Sequence, residues 1–199
     1  LGPVAVEAHS LTYYVDDENI LHVAGIEGME SVYISAGKLG LERAENLLAK
    51  FYKGHKHGLY QTLLSIIGKL GTSDTVEKLL KEHDYLETQD NNWFSIKHII
   101  RDILQNHSIS ADKQLRFDYL WAKSSFKLEN HGAFSPDATY GGGTFEEIER
   151  KRNRALNEIT KEDDRIDSTY EKALNLLAND ENGAIEFFRK NMSKHLDYN

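Results

Sequence analysis

Residues 144–182 contain neither glycine nor proline, and this uninterrupted tract limits what the C-terminal third can form. Its apolar side chains recur at steps of three, four or seven residues, at Phe145, Ile148, Ala155, Ile159, Ile166, Tyr170, Ala173 and Leu177. That spacing places one apolar stripe along one face of a helix. We therefore predict either one long helix or a tight helical hairpin over residues 144–179. The sequence does not choose between one helix and a hairpin, because Asp163 and Asp164 are also suited to start a second helix.

Strand-forming residues are concentrated near the N-terminus. Residues 11–15 and 20–23 are rich in β-branched and aromatic side chains, and the polar residues 16–19 between them are typical of a turn. Residues 31–35 are suited to a third strand. A lone hairpin is only marginally stable in water. We therefore predict a small antiparallel β element over residues 1–37 that packs on the helices that follow it.

From about residue 38 the apolar periodicity becomes helical, and it indicates a helical array over residues 38–129. Residues 130–143 include the triplet Gly141-Gly142-Gly143, which predicts a loop because glycine loses much backbone entropy inside a regular element. Thr144 and Glu147 have the spacing of a capping box at the start of a helix. We predict a C-terminal helical arm over residues 144–199. The fold class is therefore mainly α, with the β element at its N-terminus.

Residues 63–104 resemble a HEAT-type helical repeat. The resemblance lies in residues 64–71, a helix that runs into a glycine turn, and in the apolar helical segments 75–80 and 96–104. It implies a stacked helical array whose surface binds another protein.

Composition limits the classes of function. The chain has 199 residues and a net charge of −8, which disfavours binding to nucleic acid or to an anionic membrane surface. It has no cysteine, so disulfides, thiolate metal sites and cysteine nucleophiles are excluded. No apolar run approaches the roughly 20 residues that cross a bilayer. We expect a cytoplasmic protein without a cofactor. The chain opens with Leu1 rather than methionine, which suggests a processed terminus or a remnant of its production.

Two histidines between glycines form a weak candidate metal site. His55 and His57 could share a metal ion, but a complete site needs a third ligand such as His83, His98 or His131. The simpler interpretation is a basic turn between two helices.

Arg101 and His107 form a candidate catalytic pair. Their spacing resembles the Arg-x(4–6)-His signature of HEPN-fold ribonucleases, an all-helical family. That resemblance implies RNA cleavage by general acid–base chemistry across a dimer. Six residues rotate by about 600° along an α-helix, so the two side chains share a face only if the helix ends between them.

Tyr140 and the glycine triplet precede a predicted helix N-terminus, where free amides favour an anion. A flexible linker is the simpler interpretation.

Clear helices without a convergent catalytic set favour a non-catalytic protein-interaction or structural module. We expect its interaction residues on the stripe, at Phe145, Ile148, Ile159, Ile166, Tyr170 and Leu177. The partner is another protein or a second copy of the chain. The alternatives are the HEPN-like ribonuclease and an acidic immunity-type inhibitor whose charge complements a basic toxin.

Overall fold

The computed structural model describes residues 13–15, 21–23, 28–51, 57–82 and 92–197. The chain divides into two compact units, Leu1–Ile109 and Ser110–Asn199. The boundary lies inside the range 38–129 that we predicted as one array, so the last helix of that range belongs to the second unit.

The first unit is helical over most of its described residues. Its helices are α1 (Met29–Ala36), α2 (Lys38–Phe51), α3 (His57–Leu70), α4 (Ser73–Glu82) and α5 (Asn92–Leu104). Helix α3 contacts α1, α2 and α5, and α4 packs on α5. The apolar face of α3 that the sequence indicates is buried at Leu63, Leu64, Ile66 and Ile67. Helix α3 is therefore the centre of this unit.

One glycine in the first unit allows close helix packing. Gly71 follows the last residue of α3, and its amide donates to the Ile67 carbonyl at 2.7 Å. A Cβ at this position would lie 2.5 Å from both that oxygen and the Ile103 Cδ1 of α5. A larger residue would therefore clash with the backbone at the end of α3 and would force the Ile103 side chain to move.

The prediction of an antiparallel β element over residues 1–37 that packs on the helices is wrong, and the fold class is helical. The expected third strand, residues 31–35, lies inside α1. This helix buries Met29 and Tyr33, which are one turn apart, and it is bounded by Gly28 and Gly37 at positive φ. Among the residues that the structure describes before α1, β1 (Tyr13–Val15) pairs with β2 (Leu21–Val23) over three residues on each side. Burial at helical spacing outweighed the β propensity of residues 31–35.

The second unit consists of three helices among its described residues. They are α6 (Ala111–Glu129), α7 (Phe145–Leu177) and α8 (Glu181–Asn191), and each packs on the other two. Helix α7 has 33 residues without a break, which decides for one long helix over a hairpin. The core between the helices includes Leu115, Phe117, Ile166, Ala173, Ala184 and Phe188.

Candidate interaction surface on helix α7

Helix α7 begins with the capping box that the sequence predicts. The Glu147 amide donates to Thr144 Oγ1 at 3.3 Å, and the Thr144 amide donates to Glu147 Oε2 at 3.1 Å. These two bonds satisfy backbone donors that would otherwise lack a partner at the helix start. The first residue of the helix is therefore well defined, although it lies far from the core of the unit.

The C-terminal half of the helix, which we name the α7 base (residues 161–177), forms the core of the second unit. The ring of Tyr170 stacks on Tyr119 of α6, with 4.2 Å between the ring centroids. It also meets Phe188 of α8 edge-on. The buried residues of α7 all belong to the base, at steps of three and four: Ile166, Thr169 and Ala173.

A charged cluster at the start of the base attaches the C-terminal segment. The buried His195 places its Nε2 2.7 Å from Glu162 Oε1. Arg165 donates to both oxygens of the same carboxylate, at 2.7 and 2.9 Å, and to the Asn191 carbonyl at 3.1 Å. The hydrogen bonds from Arg165, and then that from His195, lower the pKa of Glu162 to about 2. The carboxylate of Glu162 is therefore ionised in the folded unit at neutral pH.

A second polar cluster aligns α6 with the base. The Tyr119 hydroxyl donates to Asp167 at 2.8 Å, and Lys123 Nζ lies 2.6 Å from Asp163. Moving four residues forward on α6 thus moves four residues back on α7, so the two helices are antiparallel. Continuing this register places the end of α6 at Glu129 opposite roughly residue 157 of α7. At 1.5 Å per residue, α7 extends about 18 Å beyond that point.

The N-terminal half of the helix, which we name the α7 overhang (residues 145–160), has no buried residue. Phe145 at its tip is 79% exposed. The half-buried side chains lie on one face, at Ile148, Arg152, Ala155, Leu156 and Ile159, and the other side chains are exposed. This face continues the steps of three and four that are buried in the base. The overhang thus presents the same apolar stripe with its side chains half-buried or exposed.

The six predicted interaction residues are divided between the two halves of α7. Ile166 is fully buried, Tyr170 packs on α6 and α8, and Leu177 is half-buried, so all three belong to the base. Phe145, Ile148 and Ile159 lie on the overhang.

Two further residues on the overhang face were missed by the prediction. Arg152 and Leu156 follow Ile148 at steps of four, and they are half-buried like their apolar neighbours. A strict heptad count from Phe145 would have placed Arg152 on the stripe despite its charge.

No signal in the sequence pairs Glu162 with His195, because the two are 33 residues apart.

The glycine triplet before α7 is a predicted anion site at a helix N-terminus. Gly141 and Gly143 have positive φ. The amides of Thr144 and Glu147 are already hydrogen-bonded in the capping box, with the Glu147 carboxylate at the helix N-terminus. A second negative charge there would be repelled, so the geometry disfavours an anion site.

The candidate catalytic pair lies at the end of α5. Arg101 is in the last turn of the helix, and its guanidinium lies 3.3 Å from Asp102 Oδ1. His107 follows the helix and is exposed. The helix thus ends between the two residues, which is the condition for bringing them to one face. The HEPN-like assignment stays a prediction.

The proposed metal ligand His55 and the side chain of His57 lie outside the described residues. Among the residues that the structure does describe, no three histidine or acidic side chains are placed to hold a metal ion. The same residues include no helix that is long and apolar enough to span a bilayer.

A cavity of about 430 Å³ lies on the first unit. Its polar lining includes Glu45, which accepts hydrogen bonds from Thr75 Oγ1 and Lys78 Nζ, both at 2.9 Å. These three groups satisfy one another across α2 and α4. We assign no ligand to this cavity.

Comparisons of the chain with protein-family models, curated proteins and solved structures find no match. The resemblance of residues 63–104 to a HEAT-type repeat therefore stays a prediction.

Proposed function

We propose that this protein is a non-catalytic interaction module whose binding surface is the apolar stripe of the α7 overhang. The observation that carries the proposal is the continuity of the stripe, which is buried in the base and half-buried or exposed in the overhang. A partner helix on the overhang would complete the packing that α6 and α8 provide on the base. The cytoplasmic location is part of the proposal, since a cysteine-free chain fits a reducing compartment.

The residues at the tip of the overhang and along the stripe would gain free energy on binding a partner. Burying an exposed Phe or Ile side chain is worth about 1.5–3 kcal/mol each. Phe145, which is 79% exposed, can contribute an amount in this range on binding, and the half-buried Ile148 and Ile159 contribute less each. The opposite face of the overhang carries charged and amide side chains, which keep the free helix in solution.

The absence of cysteine allows a direct test, because one introduced thiol can be labelled alone. Leu156→Cys places a photo-crosslinker on the stripe, and Asn157→Cys places it on the exposed far side one residue away. We expect discrete protein adducts in cell extract from the Leu156→Cys position, identified by mass spectrometry. Unlabelled parent protein should compete for these adducts. Deleting α7 is not a usable test, since the base forms the core of the second unit.

A charge-matched pair of variants provides the control. Ile148→Glu with Ile159→Glu puts two carboxylates on the stripe, and Asn153→Glu with Asn157→Glu puts two on the far side. The first double variant should fail to compete for the adducts, and the second should compete like the parent. Equal adduct yields from Leu156→Cys and Asn157→Cys, or none from either, would overturn the proposed function.

A further inference from the structure

We propose that the partner of the α7 overhang is the overhang of a second copy of this chain, paired antiparallel. This inference rests on the proposed function and names its partner. The features that point to it are the charge of the overhang, the length of its free stripe and the position of Arg152.

The overhang is neutral within an acidic chain. Its acidic residues are Glu146, Glu147, Glu149 and Glu158, and its basic residues are Arg150, Lys151, Arg152 and Arg154. These four negative and four positive charges cancel, so the net charge of −8 lies elsewhere. Two copies therefore repel each other least at the overhang. An acidic or basic partner would gain no net attraction there.

The free length of the stripe fits an antiparallel pair. Near the start of the base, Glu162 is already bound by His195 and by Arg165 of the same helix. A two-fold axis between Asn153 and Arg154 places Phe145 of one copy opposite Glu162 of the other. In this register each overhang ends where the base of the other copy begins.

The same register determines which side chains of the stripe face each other across the pair. Ile148 lies opposite Ile159 of the second copy, twice by symmetry, and Arg152 lies opposite the small Ala155. In an antiparallel pair, the flanking residue Lys151 faces Glu158 of the second copy. Both side chains are exposed, and their present contacts are with the Gly142 carbonyl and with Arg154. They can therefore exchange these contacts for the pairing between copies at little cost.

A parallel pair is disfavoured by the charges on the stripe. It would place Arg152 against Arg152 and Glu162 against Glu162 in the layers between the helices. Like charges at these positions are destabilising, and one polar residue on a stripe commonly fixes the register of paired helices. Arg152 therefore selects the antiparallel arrangement.

The free stripe is short, so we expect a reversible dimer that forms as concentration rises. Interfaces of less than about 1,200 Å² are typical of weak association. Sedimentation velocity on the full chain should show a monomer–dimer equilibrium. The Ile148→Glu, Ile159→Glu variant should stay monomeric at concentrations where the Asn153→Glu, Asn157→Glu control dimerises, with unchanged far-UV circular dichroism in both.

Disulfide formation between introduced cysteines distinguishes an antiparallel pair from a parallel one. Ile148→Cys and Ile159→Cys chains of different mass, mixed and oxidised, should form the mixed disulfide in preference to either self-disulfide. Self-disulfides of Ile148→Cys, the pattern of a parallel pair, would overturn the inference. A chain that stays monomeric and forms no disulfide would overturn it too. In that case, photo-adducts with a different protein would leave the proposed function standing.

A charge exchange tests the flanking contact without altering apolar residues. Lys151→Glu places like charges at two symmetric positions and should weaken dimerisation about five-fold. Adding Glu158→Lys restores opposite charges and should return the affinity to the parent value. If Glu158→Lys does not restore the affinity that Lys151→Glu removes, the pairing of Lys151 with Glu158 of the second copy is contradicted.

Discussion

Helix α7 repeats one apolar pattern over two halves that meet different surroundings. In the base, Ile166 and Ala173 are fully buried against α6 and α8. In the overhang, Ile148 and Ile159 occupy equivalent steps, but both keep part of their surface in water. The comparison teaches that an apolar stripe indicates a packing surface without specifying whether its partner is in the same chain.

The same substitution, isoleucine to alanine, should change the free energy of unfolding very differently in the two halves. Ile166→Ala should lower the free energy of unfolding of the second unit by about 3 kcal/mol, because it leaves a cavity in a packed core. Ile159→Ala should lower it by less than about 1 kcal/mol, since the side chain is half-buried. Hydrogen exchange of α6 and α8 amides, measured on the monomer, reports both values. Equal losses would show that the overhang is part of the core.

A smaller difference is expected between two arginines. Arg189 donates to Asp118 of α6, whose side chain is fully buried, at 2.7 Å. Arg189→Ala leaves that carboxylate with one charged partner fewer and should cost about 2–3 kcal/mol of unfolding free energy. Arg154 on the overhang faces Glu158 at 3.6 Å with both side chains exposed.

Arg154→Ala is thus the matched control, and it should change the unfolding free energy by less than about 0.5 kcal/mol. Hydrogen exchange of the α6 and α8 amides measures the unfolding free energy of both variants. An Arg154→Ala loss as large as that of Arg189→Ala would mean that the overhang is anchored by its charges.

The smallest of these effects is a dependence on pH that belongs to the base. The pKa of Glu162 is lowered from 4.5 to about 2, chiefly by the hydrogen bonds from Arg165 and then from His195. The folded unit therefore binds fewer protons than the unfolded chain between these values, and stability is lost as pH falls through them. We expect this carboxylate to contribute about 1–2 kcal/mol above pH 4.5, allowing for its partial exposure.

Glu162→Gln should flatten the acid limb of a plot of unfolding free energy against pH. Ile159→Ala removes no titratable group and should keep the shape of the parent curve. An acid limb that is as steep in Glu162→Gln as in the parent would contradict the role of this cluster.

The sequence predicts the local parts of this structure better than the distant ones. The capping box of Thr144 and Glu147 was predicted because both partners lie within one helical turn. The strand expected over residues 31–35 was wrong, because the burial of Tyr33 in a helix depends on residues far along the chain. The contact of Asp118 with Arg189 joins residues 71 positions apart, and no spacing rule indicates it.

The candidate surface was predictable in part for the same reason. Phe145, Ile148 and Ile159 follow from periodicity alone. Their separation from Ile166 and Tyr170 could not be predicted, since it depends on where α6 ends beside α7. The position of α6 along α7 is fixed by the contacts of Tyr119 and Lys123 with the base.

The most direct test of the difference between the two halves is amide hydrogen exchange of the full chain at two concentrations about a hundredfold apart. If the overhang binds a second copy, protection of residues 145–160 should rise with concentration while that of residues 166–177 stays constant. Protection of the overhang that is already as high as that of the base, and independent of concentration, would show that the overhang binds no second copy.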